Sequence, residues 1–377
     1  MSILPPSTLG ILGGGQLGRM FVTAARTMGY EVIVLDPDEH SPAGSLATEH
    51  LHASFTDTTA LDYLIGNCAV ITTEFENIPV EALQYLSRSL PVYPSSDALA
   101  IAQNRIREKT FIQSQGLVTS TFITIESEKD LLKVEGMTFP AILKTATLGY
   151  DGKGQVVCKT PSDVKKAFAD ITVPCVLEQK IDLQKEVSVV LSRNQQGEIF
   201  FFPVAENEHV HGILDVSFVP ANISSALNDK ALQAASKIAA GLEYCGVLAV
   251  EFFISADGEL LVNEIAPRPH NSGHFTLDAC YTSQFEQQVR MICGLPSGSC
   301  DLHTPVAMLN LLGDVWPEST QPDWNAVLEI DKSCLHLYGK KQPRAGRKMG
   351  HINFLADNLE SAKNNLESIK KVLTAGS

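Results

Sequence analysis

No run of apolar residues in this chain approaches the ~20 needed to span a bilayer. The N-terminal stretch MSILPPSTLGILGGG carries no basic segment and is interrupted by Pro5 and Pro6, so it does not read as a signal peptide. The expected location is therefore the cytoplasm, without a membrane partner. There is no C-x-x-C pair: the eight cysteines are scattered from Cys68 to Cys334, with no His/Cys cluster at zinc spacing. Reduced thiols fit that pattern better than a disulfide framework. Positive charge is scarce, with 29 Lys and Arg against 43 Asp and Glu and a net charge of −14. Nucleic acid is thereby excluded as a general partner, although a local basic pocket is not. A Walker A loop, G-x-x-x-x-G-K-[ST], is also missing.

What is present is enough chain, 377 residues, for two or three domains. Residues 8–95 alternate short apolar strands (TLGILGG, EVIVLD, AVITTEF, LPVYPSS) with helical patterns at Gln16 to Met28 and after Pro79. This is the βαβ grammar of a parallel sheet covered by helices. One long helix is expected from Ser96 to Gln115. A second unit from about residue 117 reads as strands: FPAILKT, QVVCKT, CVLEQKI, EVSVVLSR and IFFFPVAENEH. A helix from about Asn228 to Leu242 leads to a further pair of strands, and a final helix is expected from Leu359 to Leu373.

That further pair, GVLAVEFFIS and ELLVNEIAPR, flanks Asp257-Gly258, a strong hairpin signal. A two-residue loop there sets Glu251 opposite Glu264, with Cβ atoms roughly 5 Å apart, where like charges destabilise unless a cation lies between them. Mg²⁺, held by one or two carboxylates plus phosphate oxygens, suits the pair; an exposed hairpin with both acids in solvent is the competing reading. The turn GGGQLG, with Gly13, Gly15 and Gly18 followed by Asp36, matches a dinucleotide fingerprint, or else a tight turn in a Rossmann-like unit that binds no dinucleotide. Lys144 ends an apolar strand and precedes TATLGYDGKGQ, whose backbone N–H groups are suited to cradling phosphate, with a plain glycine-rich hairpin turn as the competing reading; Glu178, after the apolar strand CVL, and Glu186 read by themselves as surface acids. In NEIAPRPHNSGH, Asn263, Glu264, Arg268, His270, Asn271 and His274 gather within twelve positions, pinned by Pro267 and Pro269, which suggests an anion site; the competing readings are a bland loop and a His/His/Glu metal cluster, the latter without helical i, i+4 geometry because of the two prolines. No acid stands between Asp331 and Asp357, while Lys332, Lys340, Lys341, Arg344, Arg347 and Lys348 do, consistent with either a solvated loop or a phosphate pocket.

Taken together, GGGQLGRM, TTEFENIP, GYDGKGQ, VNEIAPRPHNSGH and YGKKQPRAGRKMGH resemble the ATP-grasp superfamily and, within it, the 5-(carboxyamino)imidazole ribonucleotide synthases of purine biosynthesis. The resemblance covers nearly the whole chain. It implies an α/β and α+β architecture with a Rossmann-like N-terminal (pre-ATP-grasp) domain at 1–100, a two-lobed ATP-grasp domain at 101–300 with a glycine-rich lid lobe at about 117–182, and a small C-terminal domain at 301–377. It implies an ATP- and Mg²⁺-dependent ligase, a homodimer, that carboxylates 5-aminoimidazole ribonucleotide with bicarbonate through carboxyphosphate.

The site residues implied by the resemblance follow position by position. ATP falls to Arg105, Lys144, Gly149, Tyr150, Asp151, Gly152, Lys153, Gly154, Gln155, Glu178, Gln179, Lys180, Ile181, Glu186 and His209, with Asn263 and Glu264 adjoining. Mg²⁺ falls to Glu251 and Glu264. Bicarbonate or carboxyphosphate falls to Arg268, His270 and Asn271. The ribonucleotide falls to Gln16, Leu17, Glu74, Tyr150, Asp151, Lys340 and Arg347, the last two at its phosphate. Asp151 would orient or deprotonate the amine, and it is grouped with Arg268, His270, Asn271 and Lys340 as catalytic. Lys153 stands where some members carry Arg, a point charge in place of a fork. The competing functions are a formate-dependent glycinamide ribonucleotide transformylase or another ATP-grasp ligase, an NAD-dependent dehydrogenase built on GGGQLG and Asp36, and a non-catalytic ATP-binding subunit.

Overall fold

The computed structural model describes residues 2–149, 154–316 and 321–375. The first unit is a five-stranded parallel sheet in the order Glu49–Leu51, Glu31–Leu35, Thr8–Leu12, Val70–Thr73, Val92–Tyr93. Its central strands are buried on both faces because both are covered, whereas the edge strand Glu49–Leu51 is half-buried. Leu9, Ile11, Val32 and Val34 pack with helices Gln16–Thr27 and Gln284–Ile292. Leu12, Ile33, Leu35 and Ile71 face helices Thr58–Asn67 and Val80–Leu86.

The long helix expected from Ser96 to Gln115 is two helices, Ser96–Ala102 and Arg105–Ser114. Asn104 breaks it: its backbone is extended, and its side chain accepts from the N–H groups of Ile106 (3.0 Å) and Arg107 (3.2 Å). An asparagine bonds to local backbone as readily as it accepts helix geometry. The break opens a second helix at Arg105.

A four-stranded antiparallel sheet follows, in the order Phe122–Ile125, Cys175–Gln179, Ala141–Thr145, Gln155–Cys158. Helix Pro161–Ile171, absent from the sequence reading, buries Val164, Ala167 and Phe168 against it. Its signals were local: Thr160 and Asp163 cap each other's backbone and proline stands at the start.

The largest sheet has nine strands: Leu260–Ala266 at one edge, then Gly246–Ser255, Leu183–Arg193, Ala205–Val210, Ile213–Val219, Val306–Leu312, Lys348–Leu355 and Ser333–Leu337, with short Ile199–Phe201 also paired to Leu183–Arg193. Strands from both sides of residue 300 therefore share one sheet. The segment IFFFPVAENEH, read as one strand, divides into Ile199–Phe201 and Ala205–Val210 around Pro203, which has no N–H for a ladder. Alternation decides the faces. Val187, Val189, Leu191, Val250, Phe252 and Val262 pack on helix Ser225–Gly241. The residues between them, Glu186, Ser188 and Glu251 among them, face the other way.

Candidate active site

A cleft of about 700 Å³ opens between the three sheets, lined by residues from Gln16 to Lys348. One wall is the polar face of the large sheet. Glu251 pairs with Glu264, as the hairpin signal implied, although the turn differs from the expected two-residue loop. The N–H of Gly258 bonds to the carbonyl of Ser255 and that of Ser255 to the carbonyl of Glu259, so the loop is Ala256, Asp257 and Gly258, with Gly258 left-handed at φ +78°. Such a loop alone would oppose Glu251 with Asn263. The register slips between Glu251 and Phe252, so Asn263 is the extra residue of a bulge and Glu264 returns to the cleft face. The bulge lies in an edge strand, whose outer N–H groups need partners. Glu108, 2 % exposed, accepts from the N–H of Ile265 at 2.6 Å, and the carbonyl of Val118 accepts from that of Val262 at 2.8 Å.

The pair is electrostatically loaded. Burial, then the neighbouring Glu264, pushes the Glu251 carboxyl up to about 7. Burial and Glu264 push Glu108 up to about 8. Arg105 approaches Glu264 at 3.5 Å and donates to the carbonyl of Gly149 at 3.3 Å. Glu186 and His209 form an ion pair on the adjoining strands. Burial opposes charge on that ring, but Glu186 beside it and Glu251 beyond raise its pKa above the ordinary histidine value.

The opposite wall comes from the four-stranded sheet. Glu178 is not the surface acid its sequence suggests: it is 3 % exposed, and one carboxylate oxygen meets Lys144 (3.1 Å), Lys109 (3.2 Å) and the hydroxyl of Ser120 (3.0 Å). Burial would raise its pKa, but the two lysines prevail and hold it down to about 2. Its other oxygen, Oε1, is buried and has no protein donor. Gln179, Lys180 and Ile181 continue along the cleft, as do Gly149 and Gln155. Gly154 takes φ +72° beside Thr145. Tyr150, Asp151, Gly152 and Lys153 lie outside the described residues.

The NEIAPRPHNSGH loop forms the floor. Arg268 pairs with Glu76 and donates to the carbonyl of Pro269 at 3.0 Å. His270 Nε2 lies 3.3 Å from Glu251 Oε1, and burial, then Arg268, lowers its pKa far enough to keep the ring neutral. Gln284, 0 % exposed, grips the backbone of His270 at both ends, accepting from its N–H (2.9 Å) and donating to its carbonyl (2.7 Å). A Cβ on Gly273 would stand 2.5 Å from the Gln284 oxygen, so the grip needs glycine there. Asn271 lines the cleft, whereas His274 is buried behind it, stacked on His351 with ring centroids 4.6 Å apart.

The N-terminal unit closes the far end. Glu74 accepts from the N–H of Gly15 (2.8 Å) and Gly18 (3.0 Å), and Asp36 accepts from that of Gly14 (2.6 Å). The anion position that a dinucleotide pyrophosphate would take at this helix N-terminus is thus held by the protein's own carboxylate. Of the two readings of GGGQLG, this geometry favours the tight turn that binds no dinucleotide. Gln16 and Leu17 line the cleft. Gln16 accepts from Lys340 at 2.7 Å, and Lys340 also donates to the carbonyl of Lys348 at 2.8 Å. Burial, then the charge of Arg347, brings the Lys340 amine down to about 8. Arg347 is not on the cleft lining; it donates to the carbonyl of Gln342 at 2.8 Å.

Glu108, Lys109, Ser120, Gln284, Glu76 and Lys348 were not singled out as site residues. Only Glu76, two residues after Glu74 in TTEFENIP, and Lys348, within the basic island, had a local signal. Among the described residues no three His, Cys, Asp or Glu side chains converge as a metal cluster. The fit to Mg²⁺ is instead the two-carboxylate kind: a cross-strand pair, Glu251 mostly covered and Glu264 open to the cleft, whose mutual repulsion a dication would relieve and beside which the cleft leaves room for phosphate oxygens.

Three stretches match family models: the ribonucleotide synthetase preATP-grasp domain at 7–103, the ATP-grasp domain at 110–285 and the phosphoribosylaminoimidazole carboxylase C-terminal domain at 306–365. N5-carboxyaminoimidazole ribonucleotide synthase of Bacillus subtilis (strain 168) is 44 % identical over 355 residues, covering 94 % of this chain and 92 % of the relative. The Staphylococcus aureus N5-carboxyaminoimidazole synthetase complexed with ADP superposes with a TM-score of 0.91 at 37 % identity, over 98 % of each chain. The Aspergillus clavatus enzyme in complex with ADP and 5-aminoimidazole ribonucleotide does so at 0.89 and 30 %, over 98 % of this chain and 99 % of the other. The chain belongs to the N5-carboxyaminoimidazole ribonucleotide synthases, ATP-dependent ATP-grasp ligases of purine biosynthesis.

Proposed function

We propose that the cleft carboxylates 5-aminoimidazole ribonucleotide with bicarbonate at the expense of ATP. The observation that supports this best is the placement of Glu251 and Glu264 between Lys144 on one wall and the Arg268–His270 loop on the floor. Phosphoryl transfer asks mainly for positioning and charge neutralisation, and those groups supply both. Glu178 through Ile181 bind the adenine end, where the unpaired Oε1 of Glu178 accepts from its amino group. Glu186 and His209 hold the ribose, and Lys144 and Arg105 hold phosphates. Glu251 and Glu264, with Asn263 beside them, would hold Mg²⁺, which would supply Lewis-acid neutralisation of phosphate charge.

Arg268, His270 and Asn271 bind bicarbonate. A bicarbonate oxygen attacks the γ-phosphorus, and the bond from that phosphorus to the ADP oxygen breaks. The exocyclic amine of the ribonucleotide then attacks the carbon of carboxyphosphate; phosphate leaves with the bonding pair and the amine loses a proton, to Asp151 in this assignment. Gln16, Leu17, Glu74 and Tyr150 position the base, and Lys340 and Arg347 its phosphate. ADP release should require bicarbonate and give one carbamate per ADP when the ribonucleotide is present. Activation by formate instead would favour the glycinamide ribonucleotide transformylase reading.

Three units, 1–100, 101–300 and 301–377, would divide these roles in a cytoplasmic homodimer. Light scattering that returns only a 40.9 kDa species would set the dimer aside.

A further inference from the structure

Behind the cleft floor runs a line of buried, uncharged hydrogen-bonding side chains that the reaction as described does not use. Ser217 Oγ lies 2.7 Å from Asn207 Oδ1, Asn207 Nδ2 lies 2.9 Å from Ser188 Oγ, and Ser188 Oγ lies 2.7 Å from Ser272 Oγ. Ser272 Oγ reaches His270 Nδ1 at 2.9 Å, and the opposite nitrogen of that ring faces Glu251 at 3.3 Å. Ser188, Ser217 and Ser272 are each 0 % exposed and Asn207 is 4 % exposed, so water does not compete for their hydrogen bonds. The line comes from sheet register: Ser188 pairs with Glu251 on one side, and its strand and the next place Asn207 beside Ser217.

The direction of the protons is forced from the histidine outward. The backbone N–H of Ser272 also points at His270 Nδ1, at 3.3 Å, so that nitrogen carries a lone pair. The single hydroxyl proton of Ser272 therefore goes to Nδ1, and its oxygen must accept from Ser188. Ser188 has then spent its own proton and must accept from the amide of Asn207, which leaves the Asn207 oxygen for Ser217. Each step has one solution.

We propose that Ser272, Ser188, Asn207 and Ser217 are positioning residues that hold the imidazole of His270 in the Nε2–H tautomer, so that it presents a donor to the oxygens of bicarbonate or carboxyphosphate. This rests on the reading of the loop as the bicarbonate site. In the other tautomer a ring lone pair would face those oxygens and Glu251, and the interaction would be repulsive. A chain of neutral groups suits the task, because it fixes the donor without adding charge next to Arg268.

The test is nitrogen NMR of ¹⁵N-histidine-labelled enzyme, with the His270 signals identified by their loss in His270→Asn. The wild type should show Nε2 protonated and Nδ1 unprotonated. Ser272→Ala and Ser188→Ala should each give a mixture of tautomers and lower kcat about tenfold, the scale of one buried hydrogen bond, with KM for ATP within about twofold. The double variant should be no slower than the slower single one, because both act through one chain. Ser272→Thr, which keeps the hydroxyl, should restore the tautomer and the rate. Melting temperature and ADP affinity near wild type certify that each alanine variant is folded. Protonation at Nδ1 in the wild type, an unchanged tautomer in folded alanine variants, or rate losses that multiply would each overturn the chain. Wild-type ADP release that ignores bicarbonate would instead overturn the reading of the site on which the chain's purpose rests.

Discussion

Glu178→Gln separates a buried charge network from ordinary surface chemistry. The wild-type carboxylate ionises at about 2, against 4.5 for an unperturbed glutamate. At roughly 1.4 kcal/mol per decade, that difference is worth about 3 kcal/mol to the folded state. Breaking a buried pair at one partner costs about 3–5 kcal/mol by comparison, because the other charge is left without compensation. Here that charge is Lys109, 1 % exposed, with Lys144 beside it. Glu178→Gln should therefore lose about 3 kcal/mol in urea unfolding monitored by circular dichroism. Adding Lys109→Met should recover most of the loss, since replacing both partners is close to neutral where removing one is not. The sign with pH follows from the depressed pKa: the contribution is complete above the ordinary glutamate range and vanishes as pH falls toward about 2. A single variant as stable as wild type at neutral pH, or a double variant no better than the single, would refute the argument.

Glu251→Gln and Glu264→Gln should each lower turnover by orders of magnitude with the fold intact; near-normal turnover at ordinary Mg²⁺ in either would remove the metal assignment. With Glu251 raised to about 7, the metal-free native state holds a proton that the unfolded chain has released, so its stability should fall as pH rises from about 5 to about 8. Mg²⁺ should cancel that fall and bind more weakly on the acid side, which thermal shifts in EDTA and in Mg²⁺ would show; a flat metal-free profile would count against it. Lys340→Ala and Arg347→Ala should each raise KM for aminoimidazole ribonucleotide about ten- to a hundredfold while ATP affinity holds. The reverse pattern in direct binding assays would reassign the C-terminal strands to the nucleotide.

Local chemistry and periodicity carried much of this protein. The apolar runs around Leu9 and Val32, helix Gln16–Thr27 and the two strands flanking Asp257-Gly258 are each decided by neighbours in the chain and formed where their patterns implied, whereas the helix expected from Ser96 to Gln115 broke at Asn104. Only tertiary structure decided what those elements do to each other's charges. Glu178 was indistinguishable from a surface acid until helix Arg105–Ser114 delivered Lys109 and a neighbouring strand delivered Lys144. The glycine turn resembled a pyrophosphate site until the segment after Val70–Thr73 placed Glu74 in it. Even the Glu251–Glu264 pair, expected from a two-residue turn, forms across a three-residue loop and depends on a bulge at Asn263 that the loop chemistry alone would not require, anchored by Glu108 from a distant helix. Secondary structure follows from forces that act within a few residues. Burial, ion pairing and the tautomer of His270 depend on groups brought together from far apart in the chain, and no short pattern encodes that meeting.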